Sequence, residues 1–344
     1  MNKKRFFAVN SALVLSLLML AGCGSEPKQA QQPAPTKAAA TAGASAKPAD
    51  YPTRPIETIV AFNPGGGTDT AARTVLKYAE KYAGTSFPVV NKPGAGGAIG
   101  FTAIAKSPTD GYTIGMINPP SFVVYPIKMG DQVKYKLDDF VPIANLVSDP
   151  GAFLVRADSP FQTLEQVIEE LKKNPGKLKI AFSGPGSTEA LALRQLEEMK
   201  GAKFSKVPFE GTTPGMTALL GGHVDIQIAN ASEVYSQYKE KSIRVLAVGA
   251  DSKIKMMPEV PTYKESGFDA TQIAMRGLAG PKGMDPKQVE YLADVLKKTL
   301  EDPEFKQKAE ELALPLDFMG PKEYSESLKN TEEEMKKEFE KSPW

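Results

Sequence analysis

The stretch Ile59-Val60-Ala61-Phe62-Asn63-Pro64-Gly65-Gly66-Gly67-Thr68-Asp69 constrains this chain more than any other. A short apolar run halts at Asn-Pro, and three glycines follow. From Thr70 to Ala83, apolar residues recur at Ala72, Val75, Leu76, Ala79 and Tyr82, and Gly84 stands at the end. That spacing predicts a helix with a glycine stop, so the segment reads as strand, glycine loop, helix. Glycines let a backbone approach a ligand without Cβ atoms in the way. A helix start offers unpaired N–H donors and the positive end of a dipole. The combination suits an anion such as a carboxylate or phosphate. A tight turn with no ligand is the alternative reading. No Gly-Lys-Ser/Thr follows, so the segment is not a P-loop.

The N-terminus carries an address. Lys3, Lys4 and Arg5 precede an apolar run from Phe6 to Leu20, which ends in Leu20-Ala21-Gly22-Cys23. A basic start, a short apolar core and small residues describe a secretory signal. The run falls short of the roughly 20 residues that a membrane span needs. Its ending resembles the lipobox of bacterial lipoproteins, in which the cysteine is lipid-modified and becomes the first mature residue. Residues 1–22 are then a signal peptide and Cys23, the only cysteine, is the lipidation site. No thiol remains for a disulfide or a nucleophile in the mature domain. Residues 23–50, rich in Ala, Pro, Gln, Thr and Lys without apolar periodicity, read as a disordered tether. Globular sequence is expected from Tyr51.

The remaining roughly 290 residues suit two domains or one large one. The 42 basic residues nearly balance the 41 acidic ones, which argues against a nucleic-acid partner. Pro88 to Asn91 reads as a strand. The glycines of Lys92 to Gly100 that follow fail the dinucleotide fingerprint, because Ile99 occupies its last position. Tyr112 to Ile117 is a strand ending at Asn118-Pro119-Pro120. Such alternation predicts an α/β sheet with parallel strands. A second unit begins near Gly151 with a strand at Phe153 to Arg156. Thr163-Leu164-Glu165-Gln166 reads as a capping box. The strand Lys179 to Phe182 runs into Ser183-Gly184-Pro185-Gly186-Ser187-Thr188 and a helix through Met199, repeating the logic of the first loop. Two such loops suggest an anion held between two lobes. Thr213 and Pro214 are expected to cap and open the next helix, followed by strands at Val224 to Ile228 and Ile243 to Val248. Ala274 to Leu278 crosses back to the first unit, and helices at Pro286 to Leu300, Pro303 to Leu312 and Pro321 to Glu340 end the chain.

These blocks, in order, resemble the substrate-binding proteins of tripartite tricarboxylate transporters, the Bug family. The resemblance is carried by Tyr51 to Ile56, Phe62 to Asp69 with Arg73, Asn91 to Gly97, Asp110 to Thr113, Gly184 to Ser187, Val207 to Gly211 and Leu219 to Asp225. It implies a two-lobed type II periplasmic-binding-protein fold with the ligand in the interdomain cleft. Lobe 1 comprises residues 51–149 plus 276–344, and lobe 2 residues 150–275, hinged near Val147 to Gly151 and Ala274 to Leu278. It also implies an extracytoplasmic protein, periplasmic where the cell has an outer membrane, that delivers a small carboxylate to a membrane permease. Gly66, Gly67, Thr68 and Asp69 would grip one carboxylate, facing Gly186, Ser187 and Thr188. Phe62, Asn118, Ser183, Gly211 and Asn230, beside the same loops and strand ends, complete the expected ligand site. The family usually has Trp where this chain has Arg276, and often His near the place of Ala190. Arg276 either binds the distal end of a dicarboxylate or turns to solvent or an acidic neighbour.

Catalysis finds little support. The sole histidine, His223, sits in a Gly-Gly-His-Val-Asp turn, which disfavours zinc sites of the usual kind. Asp69 and Arg73 are spaced for a local ion pair. Ser187 has no evident base partner. The expectation is a monomeric binding protein without cofactor or metal. A lipid-anchored sensor for a membrane receptor is the alternative, and a hydrolase a minor one.

Overall fold

Two three-stranded parallel ribbons are joined by long antiparallel strands. The computed structural model describes residues 48, 50–184, 186–341 and 343. The expected signal peptide, Cys23 and nearly all of the expected tether lie outside the described residues. In the first half, β1 (Glu57–Val60) lies between β2 (Val89–Asn91) and β3 (Thr113–Ile117), all parallel. Helices α1 (Gly67–Ala83) and α2 (Ala98–Ala105) connect them. In the second half, β5 (Lys179–Phe182) lies between β6 (Ser205–Pro208) and β7 (Ile226–Asn230), again parallel. Here α5 (Thr188–Lys200) and α6 (Thr212–Leu220) make the crossovers.

The strand β4 (Phe140–Arg156), 17 residues long, runs through both halves. Its first part pairs antiparallel with β9 (Ile273–Pro281), which borders β3. Its last part pairs with β7 and with β8 (Ile243–Val248). The strand order is therefore β2-β1-β3-β9-β4-β7-β5-β6, with β8 and β10 (Leu316–Met319) also on β4. The parallel strands expected from the alternation are present in each half, and antiparallel β4 and β9 make the sheet as a whole a mixed one. The segment Phe140 to Ala152 is almost wholly buried, so it carries no period-2 signal to mark it as a strand.

Other differences have local causes. Helix α3 (Ser121–Met129) contains Phe122-Val123-Val124 and an internal Pro126, a run whose helix propensity is poor. Helix α6 starts at Thr212 with Gly211 as its N-cap, not at Pro214. The strand expected at Val224 to Ile228 lies two residues later, at Ile226–Asn230, and leads directly into α7 (Ala231–Lys239). Thr163 accepts the Gln166 N–H at 3.3 Å, but the Gln166 side chain bonds Gln162 N–H, not Thr163. The capping box before α4 (Leu164–Lys173) is half formed.

Each half has its own core. In the first, α1 and α8 (Pro286–Glu301) bury Val75, Leu76, Leu292 and Leu296 against Val60, Ile114 and Leu146. Helix α9 (Pro303–Glu311) adds Phe305. Beneath the other face, Phe122 is ringed by Phe101, Tyr135 and Phe140 at 4.8–5.3 Å between ring centroids. Tyr324 and Leu328 of α10 (Pro321–Lys341) close this cluster. In the second half, Phe153, Ile180, Leu193 and Ile226 form one core and Leu154, Leu219, Val234 and Val245 another. Among the described residues no helix is long and apolar enough to cross a membrane.

Phe122 fixes α3 to the sheet, and α3 carries part of the cleft wall. Phe122→Ala should cost about 3–5 kcal/mol of stability, read as a lower urea midpoint with an unchanged slope. An unchanged midpoint would show that the aromatic cluster does not hold α3.

Candidate functional site

A cavity of about 630 Å³ lies between the two halves. Six α-helices start at its wall among the described residues: α1 at Gly67, α3 at Ser121, α5 at Thr188 and α6 at Thr212, together with α2 and α7, whose N-caps Gly97 and Asn230 line it. This follows from the topology. In parallel α/β units, loops from strand end to helix start all fall on one edge of the sheet. Each helix start presents N–H groups and a partial positive charge, equivalent to about +0.5. The two halves turn these edges toward each other.

Of the expected site residues, Phe62, Gly66, Gly67, Thr68, Asn118, Ser183, Ser187, Thr188, Gly211, Asn230 and Arg276 all line this cavity. Asp69 and Gly186 do not. Asp69 is buried behind the loop, accepting from Gly65 N–H at 2.9 Å, Asn91 Nδ2 at 2.9 Å and Arg73 Nε at 3.0 Å. It shapes the loop rather than facing the cavity, and its pKa is lowered because these bonds outweigh burial. Gly186 has φ +87° and packs against the Tyr125 ring, where a Cβ would come within 3.0 Å. On the opposite side a Cβ at Gly96, φ +64°, would overlap the Tyr125 hydroxyl. Tyr125 therefore fits between glycine turns from both halves. His223 is exposed, away from the cavity.

The hydroxyls are already oriented. Thr68 Oγ1 is 2.7 Å from Asn118 Nδ2. Ser187 Oγ accepts the Ala190 N–H at 3.1 Å and so caps α5. Helix starts of this kind leave N–H groups that an anion can engage.

Arg276 is buried, 2% exposed, yet lines the cavity. In the β4–β9 ladder it stands opposite Val147, so Asp149 is its diagonal neighbour. Its Nη1 donates to Asp149 Oδ2 at 2.7 Å and its Nη2 to Glu233 Oε1 at 3.3 Å. The register Gly151 to Asn230 brings the start of α7 beside Asp149, which also accepts the Ser232 N–H at 3.1 Å and the Ser232 hydroxyl. Glu233 Oε2 accepts from Thr212 Oγ1 at 2.7 Å and from Asn230 Nδ2 at 3.1 Å. Of the alternatives open for Arg276 in the sequence, the observed pairing is with acidic neighbours. The α1 start abuts this network: a Cβ at Gly67 would overlap Glu233 Oε1 and lie 2.8 Å from Arg276 Nη2.

Sequence reasoning missed Asp149, Glu189, Glu233 and Tyr125. Asn230-Ala231-Ser232-Glu233 is an N-cap pattern with an acid three residues on, a signal that would have marked α7 and Glu233. Asp149 and Tyr125 had no local signal, because only the strand register and the glycine turns give them their places. Among the described residues no cluster of His, Cys, Asp and Glu is arranged to hold a metal.

The sequence model of the tripartite tricarboxylate transporter family receptor matches residues 71–337. The chain belongs to that family. It is 33% identical over 313 residues to the UPF0065 protein in the gbd 5′ region of Cupriavidus necator, covering 88% of this chain and 94% of that one. To BugT of Bordetella pertussis it is 33% identical over 257 residues, covering 74% and 79%. Among solved structures, a TctC solute-binding protein from Polaromonas is 32% identical with a TM-score of 0.69, covering 85% of this chain and 99% of that one. MatC of Rhodopseudomonas palustris, solved with bound malate, is 24% identical and has a TM-score of 0.75, covering 83% and 99%. As a receptor of this family the chain is an extracytoplasmic solute-binding protein with a two-lobed fold, and not an enzyme.

Glu189, at the start of α5, is buried, and its pKa is raised by burial and then by the nearby Glu233. Folded protein then holds this proton at pH values where the unfolded chain, at about 4.3, has lost it. Stability falls as pH rises through that window, because the native state binds more protons. Glu189→Gln should remove this fall. Urea unfolding near pH 4 and pH 7 should show a smaller loss for the variant than for wild type. Equal losses would mean that Glu189 is ionised at no cost.

Proposed function

We propose that the cleft captures a small carboxylate and hands it to a membrane permease of the tripartite tricarboxylate type. The observation that carries this reading is the convergence of six helix starts on one cavity of about 630 Å³, which favours a carboxylate through N–H groups and dipoles together. A relative solved with malate supports it. The proximal carboxylate would sit on the N–H groups near Gly66, Gly67 and Thr68, opposed by those near Ser187 and Thr188. Asn118, Ser183, Gly211 and Asn230 would border the ligand, with Phe62 as an apolar wall. Residues 51–149 with 276–344 would move as one lobe and 150–275 as the other, about the crossings in β4 and β9. The protein would act as a monomer, tethered to the membrane by lipid on Cys23.

The grip and the anchor are tested separately. Gly66 has open space around it, its nearest neighbour being Asn63 O at 3.5 Å from a Cβ position. Gly66→Val should therefore keep the melting temperature of the ligand-free protein while projecting a side chain into the cavity. In a thermal-shift screen of mono-, di- and tricarboxylates, a ligand at 100 times its dissociation constant should add about 2.7 kcal/mol to wild type and little to Gly66→Val. Undiminished affinity of the folded variant would remove this loop from the site. Gly67→Ala, by contrast, should lower stability even without ligand, because its Cβ meets Glu233 and Arg276.

For the anchor, Cys23→Ser should abolish metabolic labelling with a radioactive fatty acid and release the protein or leave it at precursor mass. Normal labelling would overturn lipidation at this cysteine.

A further inference from the structure

The cavity wall formed by α7 and β9 carries an excess of negative charge. Glu233 of α7 lines it and Asp149 lies behind it, and the exposed Glu210, just before α6, lines the same cavity. Arg276 is the one cationic side chain among the lining residues; its Nη1 and Nη2 each donate one bond, to Asp149 and to Glu233, and its Nε–H has no partner among the described residues. Those three charges alone sum to one negative. An acid in the first turn of a helix ordinarily serves the dipole. Glu233 instead bonds Thr212, Asn230 and Arg276.

Asn230 adds an independent observation. It lines the cavity and is 7% exposed. Its Nδ2 donates to Glu233 Oε2 at 3.1 Å, and a carboxylate oxygen only accepts, which fixes the orientation of the amide. Its Oδ1 is then a buried acceptor without a partner among the described residues. Beside Glu233 the site thus has an acceptor to satisfy, and the charge of its one lining cation is already exceeded by those of two carboxylates.

Resting on the carboxylate reading above, we infer that the ligand is a carboxylate that also bears an ammonium group, a net-neutral amino acid rather than a dicarboxylate. Its carboxylate lies on the starts of α1 and α5. Its ammonium donates to Glu233 and to Asn230 Oδ1. An ammonium has three N–H donors and no acceptor, matching the unfilled side of this wall, and its bonds to a carboxylate are charge-assisted. A second carboxylate at the same place would face Glu233 at close range. The raised pKa of Glu189, caused by burial and then by Glu233, agrees with negative charge already in excess there.

The test uses calorimetry on the mature protein with matched skeletons of three to six carbons: alkanoates, α,ω-diacids, ω-amino acids and α-amino acids. An amino acid should bind about tenfold or more tightly than the alkanoate and the diacid of the same length. Glu233→Gln, which keeps the shape and can keep the bonds to Thr212 and Arg276, should erase that preference while leaving alkanoate affinity equal or higher. Circular dichroism and the melting temperature verify that this variant folds. Diacids binding more tightly than amino acids, or an unchanged preference in Glu233→Gln, would overturn the inference and leave the carboxylate reading standing. Binding by no member of any series would overturn both.

Discussion

A guanidinium held in a dry crossing of two strands is the constraint on which the cleft depends. Arg276 is 2% exposed, and a buried charge is tolerated only with partners. Burial works to lower its pKa, but the fields of Asp149 and Glu233 outweigh burial and raise it. It therefore stays a cation, and both carboxylates must remain close. Asp149 comes from β4 and Glu233 from α7, so one ion network ties the crossing strands to a helix start. Removing one partner of such a pair leaves an uncompensated charge, at a cost of about 3–5 kcal/mol. Gly67 must lack a side chain because this network occupies the space beside it. A glycine from one half is thereby fitted to an ion network that includes residues of the other.

Around that network the remaining wall is built from backbone. Strand-to-helix loops with small residues present N–H groups, and the repeated parallel unit places one such set on each side. Tyr125 fills the gap between the glycine turns at Gly96 and Gly186. Farther out, Arg194 of α5 pairs with Glu338 of α10, so the C-terminal helix of the first half also reaches the second. These contacts between halves are polar or aromatic, while each half keeps its own apolar core. Two continuous strands, β4 and β9, join the separate cores.

Much of this was legible in the sequence because its signals are local. The loop Asn63 to Asp69, the helix ending at Gly84, the helix opened by Ser183 to Thr188 and the proline-led helices at Pro286, Pro303 and Pro321 depend on neighbours a few residues away. So did the placing of most cavity-lining residues at loop tips and strand ends. What escaped was set by distant pairing. β4 is buried almost throughout and shows no alternation. Asp149 becomes a partner of Arg276 only through the β4–β9 register. Asp69 entered the expected site through the family resemblance, as one of the backbone groups of the glycine loop. The role of its side chain was not legible: the carboxylate is held by Gly65, Arg73 and Asn91, the last 22 residues away in sequence.

The two kinds of wall have different consequences for selectivity. Backbone N–H groups at helix starts accept any carboxylate of suitable size, and they follow from the fold alone. The face made by Asn230, Glu233 and Arg276 does not follow from the fold. Where the family resemblance leads one to expect an apolar tryptophan, this chain buries a cation, and that single change cannot stand alone. Without Asp149 and Glu233 the guanidinium would be unpaired; without Arg276 the two carboxylates would face each other in a dry wall. The three side chains therefore have to be exchanged as a set. A common fold can in this way keep one end of its ligand constant while the opposite wall changes its charge.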